Sequence, residues 1–141
     1  MRIYLASRYS RRLEMLEIAE QLRRLGHTVT SSWITGKHET RPGIDANGTE
    51  EERRTWAEED IKDLNYSEAL VAFTEEPNAE GRGRGGRHVE YGFALALDLL
   101  LTVVGPRENV FHCLPSVCHW PTVAAYRANL DAAIASKEAL R

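Results

Sequence analysis

Glu90 is the residue of this chain whose type and setting best suit a nucleophile, and Asp60 is a carboxyl group that could serve as its partner, although its position alone does not single it out. Glu90 lies in the first turn of a helix expected over Arg87–Leu99, directly after the glycine- and arginine-rich stretch Gly81–Gly86. A carboxylate there projects into a cleft near backbone amides, which is the setting of a nucleophile. The same position also suits a glutamate that only complements the helix dipole, and spacing does not choose between the two. Asp60 stands in the acidic run Glu58-Glu59-Asp60-Ile61-Lys62-Asp63, a pattern ordinarily found on a solvated helical face. Close to Glu90, it would supply the second carboxyl group that cleavage of a glycosidic bond needs: one group attacks, the other protonates the leaving group.

Gly81, Gly83 and Gly86 spell G-x-G-x-x-G ahead of a helix. The stretch starts well after its strand and is missing from the turn after the first strand, which argues against a dinucleotide fingerprint. No G-x-x-x-x-G-K-[ST] occurs, which disfavours a P-loop ATPase or kinase. The glycines would instead let the backbone approach a phosphate or sugar, with Arg82, Arg84 and Arg87 as counter-charges; a flexible solvated loop is the alternative. His88-Val89-Glu90 has the H-x-E of zinc deaminases but not their P-C-x-x-C partner, because Cys113 and Cys118 are separated by four residues. The spacing of His112, Cys113, Cys118 and His119 matches no common metal site, so neither a metal nor another cofactor is expected.

These side chains need a scaffold. Ile3–Ala6 reads as a strand, and Ser10–Leu25 carries Leu13, Leu16, Ala19, Leu22 and Leu25 at helical spacing before Gly26 stops it. His27–Trp33 is rich in β-formers around Val29, and Gly36–Gly48 has the composition of an irregular loop lying over a site or an interface. Thr49 can cap a helix running to Leu64, with Glu52 completing a capping box. Ala69–Thr74 is a buried strand, Leu100–Gly105 another, Asn109–Leu114 a candidate fifth, and Pro121–Lys137 a closing alanine-rich helix. Strands alternating with helices predict an α/β fold: a single domain over residues 1–141 with a flavodoxin-like, doubly wound, five-stranded parallel sheet. In such a sheet a ligand binds beyond the carboxyl ends of the strands where the strand order reverses, so the loops Ser7–Arg12 and Glu75–Arg87 should meet at the site.

Composition narrows the function classes. With 141 residues, 43% hydrophobic and 28% charged, the chain can form a packed core and lacks the signature of disorder. A net charge of -3 gives no overall positive field, which disfavours binding to nucleic-acid polymers. The longest apolar stretch, Phe93–Val104, is broken by Asp98 and Thr102 and is too short to cross a bilayer. No secretory signal opens the chain, so a cytoplasmic location with reduced cysteines is the expectation.

Three segments together resemble the nucleoside 2-deoxyribosyltransferase family, which includes the 2'-deoxynucleoside 5'-phosphate N-hydrolases. They are Ile3-Tyr4-Leu5-Ala6-Ser7, Glu59-Asp60 ahead of Ala69-Leu70-Val71-Ala72, and Gly85-Gly86-Arg87-His88-Val89-Glu90-Tyr91-Gly92, and the resemblance spans roughly residues 2 to 105. It implies a flavodoxin-like fold, a small nucleoside or nucleotide substrate, a homo-oligomer and no metal. It places Glu90 on the nucleophilic glutamate, Asp60 on the helix aspartate that protonates the leaving base, Tyr4 on the strand-one tyrosine lining the pocket, and Gly92 on the glycine after the nucleophile. Hydrolysis or transfer to another base would follow a covalent deoxyribosyl-glutamate intermediate. The loops depart from the family pattern: where transferases acting on free nucleosides tend to be acidic before the glutamate, this chain has Arg82, Arg84 and Arg87, with Ser7, Arg8, Ser10 and Arg11 after strand one. That leans toward a 5'-monophosphate held by Ser7, Arg8, Arg11, Arg84, Gly86 and Arg87. Gly105–Pro115 has no assignable counterpart. A non-catalytic nucleotide-binding or sensor domain and an NAD glycohydrolase are the alternative functions.

Overall fold

The computed structural model describes residues 1–36, 48–76 and 85–141. Five strands, β1 (Arg2–Ala6), β2 (Thr28–Val29), β3 (Ala69–Phe73), β4 (Leu100–Val104) and β5 (Cys118–Trp120), form one sheet in the order β2-β1-β3-β4-β5. Every pairing in it is parallel, as the alternation of strands and helices predicts. The strand order reverses between β1 and β3, as in the flavodoxin-like class. Helices α1 (Arg12–Arg24) and α4 (Val123–Ala139) pack together on one face, and α2 (Glu50–Tyr66) and α3 (Gly86–Ala96) together on the other.

All five β3 residues are buried, which is why Ala69-Leu70-Val71-Ala72-Phe73 reads as a continuous apolar run rather than an alternating one. Helix α1 buries Met15, Ile18, Ala19 and Leu22, spaced i, i+3, i+4, i+7. Leu13, expected on that face, is 68% exposed, because it stands two residues before Met15 and so points away from the buried stripe. Its C-terminus closes with the paired bonds Gly26 N–H to Arg23 O and His27 N–H to Leu22 O, the Schellman arrangement. The Thr49–Glu52 capping box forms in full, with Glu52 N–H donating to Thr49 Oγ1 at 3.1 Å and Thr49 N–H to Glu52 Oε2 at 2.8 Å.

Two strand expectations need correcting. His27–Trp33 pairs only over Thr28–Val29; Ser32–Thr35 turns into a 3-10 helix whose start is captured by Asp63, which accepts from the Ser32 backbone at 2.8 Å and from Ser32 Oγ at 2.6 Å. Asn109–Leu114 is not the fifth strand. Asn109 Oδ1 accepts from the Phe111 amide at 3.0 Å and caps a 3-10 turn over Val110–Cys113, so a polar cap overrides the local β propensity and the pairing with β4 passes to Cys118–Trp120. Most of the Gly36–Gly48 loop lies outside the described residues.

No helix among the described residues is long and apolar enough to cross a membrane. Cys113 and Cys118 are free thiols.

Candidate active site

Three elements bring side chains together where the strand order reverses between β1 and β3. Tyr4, in the middle of β1, is fully buried, and its hydroxyl donates to Glu90 Oε1 on α3 at 2.9 Å. Asp60 comes from α2, with Oδ1 buried, and it raises Glu90 electrostatically. The solvated-face reading of the acidic run therefore fails at this residue: Glu58 is exposed and the Asp60 carboxyl is turned inward. Helix α3 starts at Gly86, one residue earlier than expected, which makes Glu90 its fifth residue. At that depth the helix dipole has largely faded. Burial and Asp60 dominate instead and push the Glu90 carboxyl up to about 8, opposed by the Tyr4 hydrogen bond and by the Arg87 charge. Tyr4 is raised well above its ordinary value by burial, then by the charges of Glu90 and Asp60 and by hydrogen bonding to both. One phenol thus touches two carboxyls, and the cluster retains a proton to a pH well above the usual carboxylate range.

Gly85 gives α3 its start. It holds φ 86°, and no side chain caps the helix at this position. His88 N–H and Val89 N–H turn back to Gly85 O at 2.9 and 3.3 Å. Gly86 lies in the first turn, and no described residue stands within 4 Å of where a Cβ would sit.

The two loops do meet. Arg11 Nη1 donates to Thr74 O at 3.2 Å and to Glu75 Oε1 at 3.1 Å, while Nε and Nη2 grip Glu14 Oε2 and Oε1 at 2.7 and 3.1 Å. Arg8 Nη1 lies 3.8 Å from Glu75 Oε2. Arg87 Nη2 pairs with Glu108 Oε1. Ser7 is half-buried at the end of β1. Arg8, Arg11 and Arg87, expected as phosphate counter-charges, therefore each face a carboxylate of their own chain. Arg82 and Arg84, with Gly81 and Gly83, lie outside the described residues.

Glu75 and Glu108 were not singled out in the sequence. Glu75 had a signal, since it directly follows a buried strand at the switch point. Glu108 had none, because nothing local shows that the segment after Gly105 folds back onto α3. His112 is buried there, with its Nδ1 accepting from the Glu108 amide at 3.1 Å and its Nε2 3.2 Å from Asn109 Nδ2. His119 Nε2 lies 2.7 Å from Gly105 O. No group of three or more metal-binding side chains occurs among the described residues.

No family model matches the chain, and no curated protein matches it either. Solved structures do resemble it. The CMP N-glycosidase BcmB of Clostridium botulinum aligns with a TM-score of 0.56 and 18% identity, over 93% of this chain and 99% of that one. The 2-deoxyribosyltransferase of Bacillus psychrosaccharolyticus aligns with a TM-score of 0.62 and 19% identity, over 85% of each chain. At these identities the likeness establishes the shared fold.

Proposed function

We propose that the chain is an enzyme of the nucleoside 2-deoxyribosyltransferase kind that cleaves the N-glycosidic bond of a 2'-deoxynucleoside or its 5'-monophosphate. The observation that carries this reading is the Tyr4–Glu90–Asp60 cluster, two carboxyls joined by a buried phenol at the point where the sheet's strand order reverses. The two solved structures of the same fold, an N-glycosidase and a deoxyribosyltransferase, support it.

Glu90 attacks C1' of the sugar through an oxocarbenium-like transition state. As the C1'–O bond forms, the C1'–N bond breaks and its electron pair passes to the base, which takes a proton from Asp60. The product is a deoxyribosyl ester of Glu90. Water, deprotonated by Asp60, then releases the sugar and restores the Glu90 carboxylate; a second base in the vacated pocket gives transfer instead. Attack requires an ionised Glu90 and donation requires a protonated Asp60, so the pair works while it holds a single proton. The Tyr4 hydroxyl, bonded to both, lets that proton sit on either carboxyl. Tyr4 also steers Glu90 by occupying Oε1.

The test is to incubate the protein with each deoxynucleoside, each deoxynucleoside 5'-monophosphate, CMP and NAD, and to separate free base by chromatography. Base released from a deoxynucleoside or its monophosphate by the wild type, and lost in Glu90→Gln, is the expected result. Nicotinamide release alone identifies an NAD glycohydrolase. Binding without any base release identifies a sensor.

A further inference from the structure

Arg87, three residues before Glu90 on α3, forms with Glu108 an ion pair that the chemistry above does not use. Their side chains are only 10% and 17% exposed. Glu108 Oε1 takes the Arg87 guanidinium and also the Glu75 amide at 3.3 Å, while its Oε2 stands 3.7 Å from His88 Nε2. The pairing is unfinished on both sides: Arg87 Nε and Glu108 Oε2 are buried with no hydrogen-bond partner among the described residues. Nor is Glu108 a surface side chain drifting onto a cation. Its backbone amide is fixed on buried His112, and the turn that follows is fastened to α3 by the Tyr91 hydroxyl, which donates to Phe111 O at 3.1 Å.

A buried pair with unfilled donors and acceptors is a poor stabiliser, because each desolvated atom left without a partner offsets what the pairing contributes. As an anion seat it makes sense. Arg87 stands three residues before Glu90 on α3, close enough for its charge to act on that carboxyl. It presents guanidinium donors to an oxygen anion, and the anion now in place belongs to the chain itself.

We propose that Glu108 sets the site's discrimination between a phosphate monoester and a free hydroxyl on the substrate sugar, by holding Arg87 as an internal counter-ion where an incoming phosphate would bind. The sugar part of this rests on the glycosidic reading above; the anion seat does not. Among the described residues, Arg8 and Arg11 already face Glu75 and Glu14, so a phosphate dianion drawn to Arg87 displaces Glu108 or shares Arg87 with it against like-charge repulsion. Neutralising Glu108 frees Arg87 and removes that repulsion together.

The experiment compares the wild type with Glu108→Gln, which keeps an acceptor for the Glu75 amide, and Glu108→Asp, which keeps the charge. Binding of inorganic phosphate is titrated calorimetrically at two salt concentrations, and kcat/KM is measured for a deoxynucleoside and its 5'-monophosphate. Glu108→Gln should bind phosphate roughly tenfold or more tightly and raise the monophosphate-to-nucleoside ratio by a similar factor, mainly through KM. The gain should shrink as salt rises, and Glu108→Asp should keep the wild-type ratio. Unchanged phosphate affinity, or an equal loss with both substrates as a purely structural role would give, overturns the assignment. Arg87→Gln provides an arm that does not depend on the Glu108 variants folding. It should cost less than about threefold in phosphate affinity, because the seat is already filled, and a tenfold loss would show Arg87 open to phosphate in the wild type. If no nucleoside or nucleotide is cleaved at all, the glycosidic reading fails and the phosphate titration still decides the seat.

Discussion

Replacing Glu90 by glutamine should make the protein more stable, and increasingly so as pH rises. The Glu90 carboxyl moves from 4.5 to about 8 on folding, through burial first and the neighbouring Asp60 second. Below pH 4.5 it is protonated in both states and contributes no pH dependence. Between 4.5 and 8 the folded chain keeps a proton that the unfolded chain has lost, so stability falls as pH rises, and above 8 the whole cost is present. At 1.36 kcal/mol per tenfold in the proton equilibrium, that cost has an upper limit of roughly 5 kcal/mol. The glutamine amide of the Glu90→Gln variant carries no charge at any pH and still accepts from Tyr4, so the variant escapes the cost while keeping the shape. For a chain of this size each kcal/mol moves Tm by about 3 °C. The Tm difference between variant and wild type should therefore be near zero at about pH 4 and reach about 6 to 15 °C at about pH 9. Thermal unfolding followed by circular dichroism at constant ionic strength measures it. A difference that stays constant across that pH range would refute the account of Glu90 as a buried, proton-retaining carboxyl.

The same proton governs turnover: kcat/KM should fall above about pH 8 as the carboxyl pair loses its last proton. That fall should be absent for a 7-methylpurine nucleoside, whose base departs without protonation; a rise in natural-substrate activity through pH 8 would contradict the assignment. Asp60→Asn should slow release of natural bases by about 10²- to 10⁴-fold and that of the 7-methylpurine far less, whereas equal losses would mark Asp60 as a binding group only. The chain is expected to be a dimer or larger, and a monomeric mass by light scattering at micromolar concentration would contradict this. Gly105→Ala should cost about 1 to 3 kcal/mol, because Gly105 holds φ 111° and a Cβ there would stand 2.5 Å from Thr74 Oγ1. An unchanged Tm would show that the segment after β4 shifts freely.

Most of the fold was legible because its signals are local. The apolar run of β3, the capping box at Thr49 and the stop at Gly26 each act within a few residues, and the strand-helix alternation then leaves few topologies open. The errors fall where a local preference meets a longer-range partner. Ser32 leaves the strand path because Asp63, 31 residues away in sequence, takes its backbone N–H. Val110 and Phe111 have β propensity, yet Asn109 and the docking of His112 bend them into a turn. At the site, the nucleophile candidate was visible from its place after a glycine-rich stretch, and Asp60 stood out only through resemblance. Of the arginines' partners, Glu14 stands three residues after Arg11 and Glu75 closely follows β3, so both had a local signal; Glu108 had none, because it reaches Arg87 from the segment after β4.

These pairings bear on how the site keeps its shape. Arg11 joins the loop after β1 to the end of β3 through Thr74 O, Glu75 and Glu14, and each of these groups is partly or largely withdrawn from water. Ion pairs of this kind contribute little net stability once desolvation is counted, so holding the fold together is not a sufficient reason for so many paired charges at one edge of a sheet. What they fix is relative position. Tyr4 and Glu90 sit on different elements, β1 and α3, and the 2.9 Å bond between them holds only if the ends of β1 and β3 keep their spacing. Arg11 spans that gap, and the Glu108 bond to the Glu75 amide ties the end of β3 to the segment after β4. The cluster at the switch point is thus set by electrostatic ties whose worth lies in geometry, which matters for the proposed chemistry because an error of about 1 Å in a reacting group can cost a hundredfold in rate.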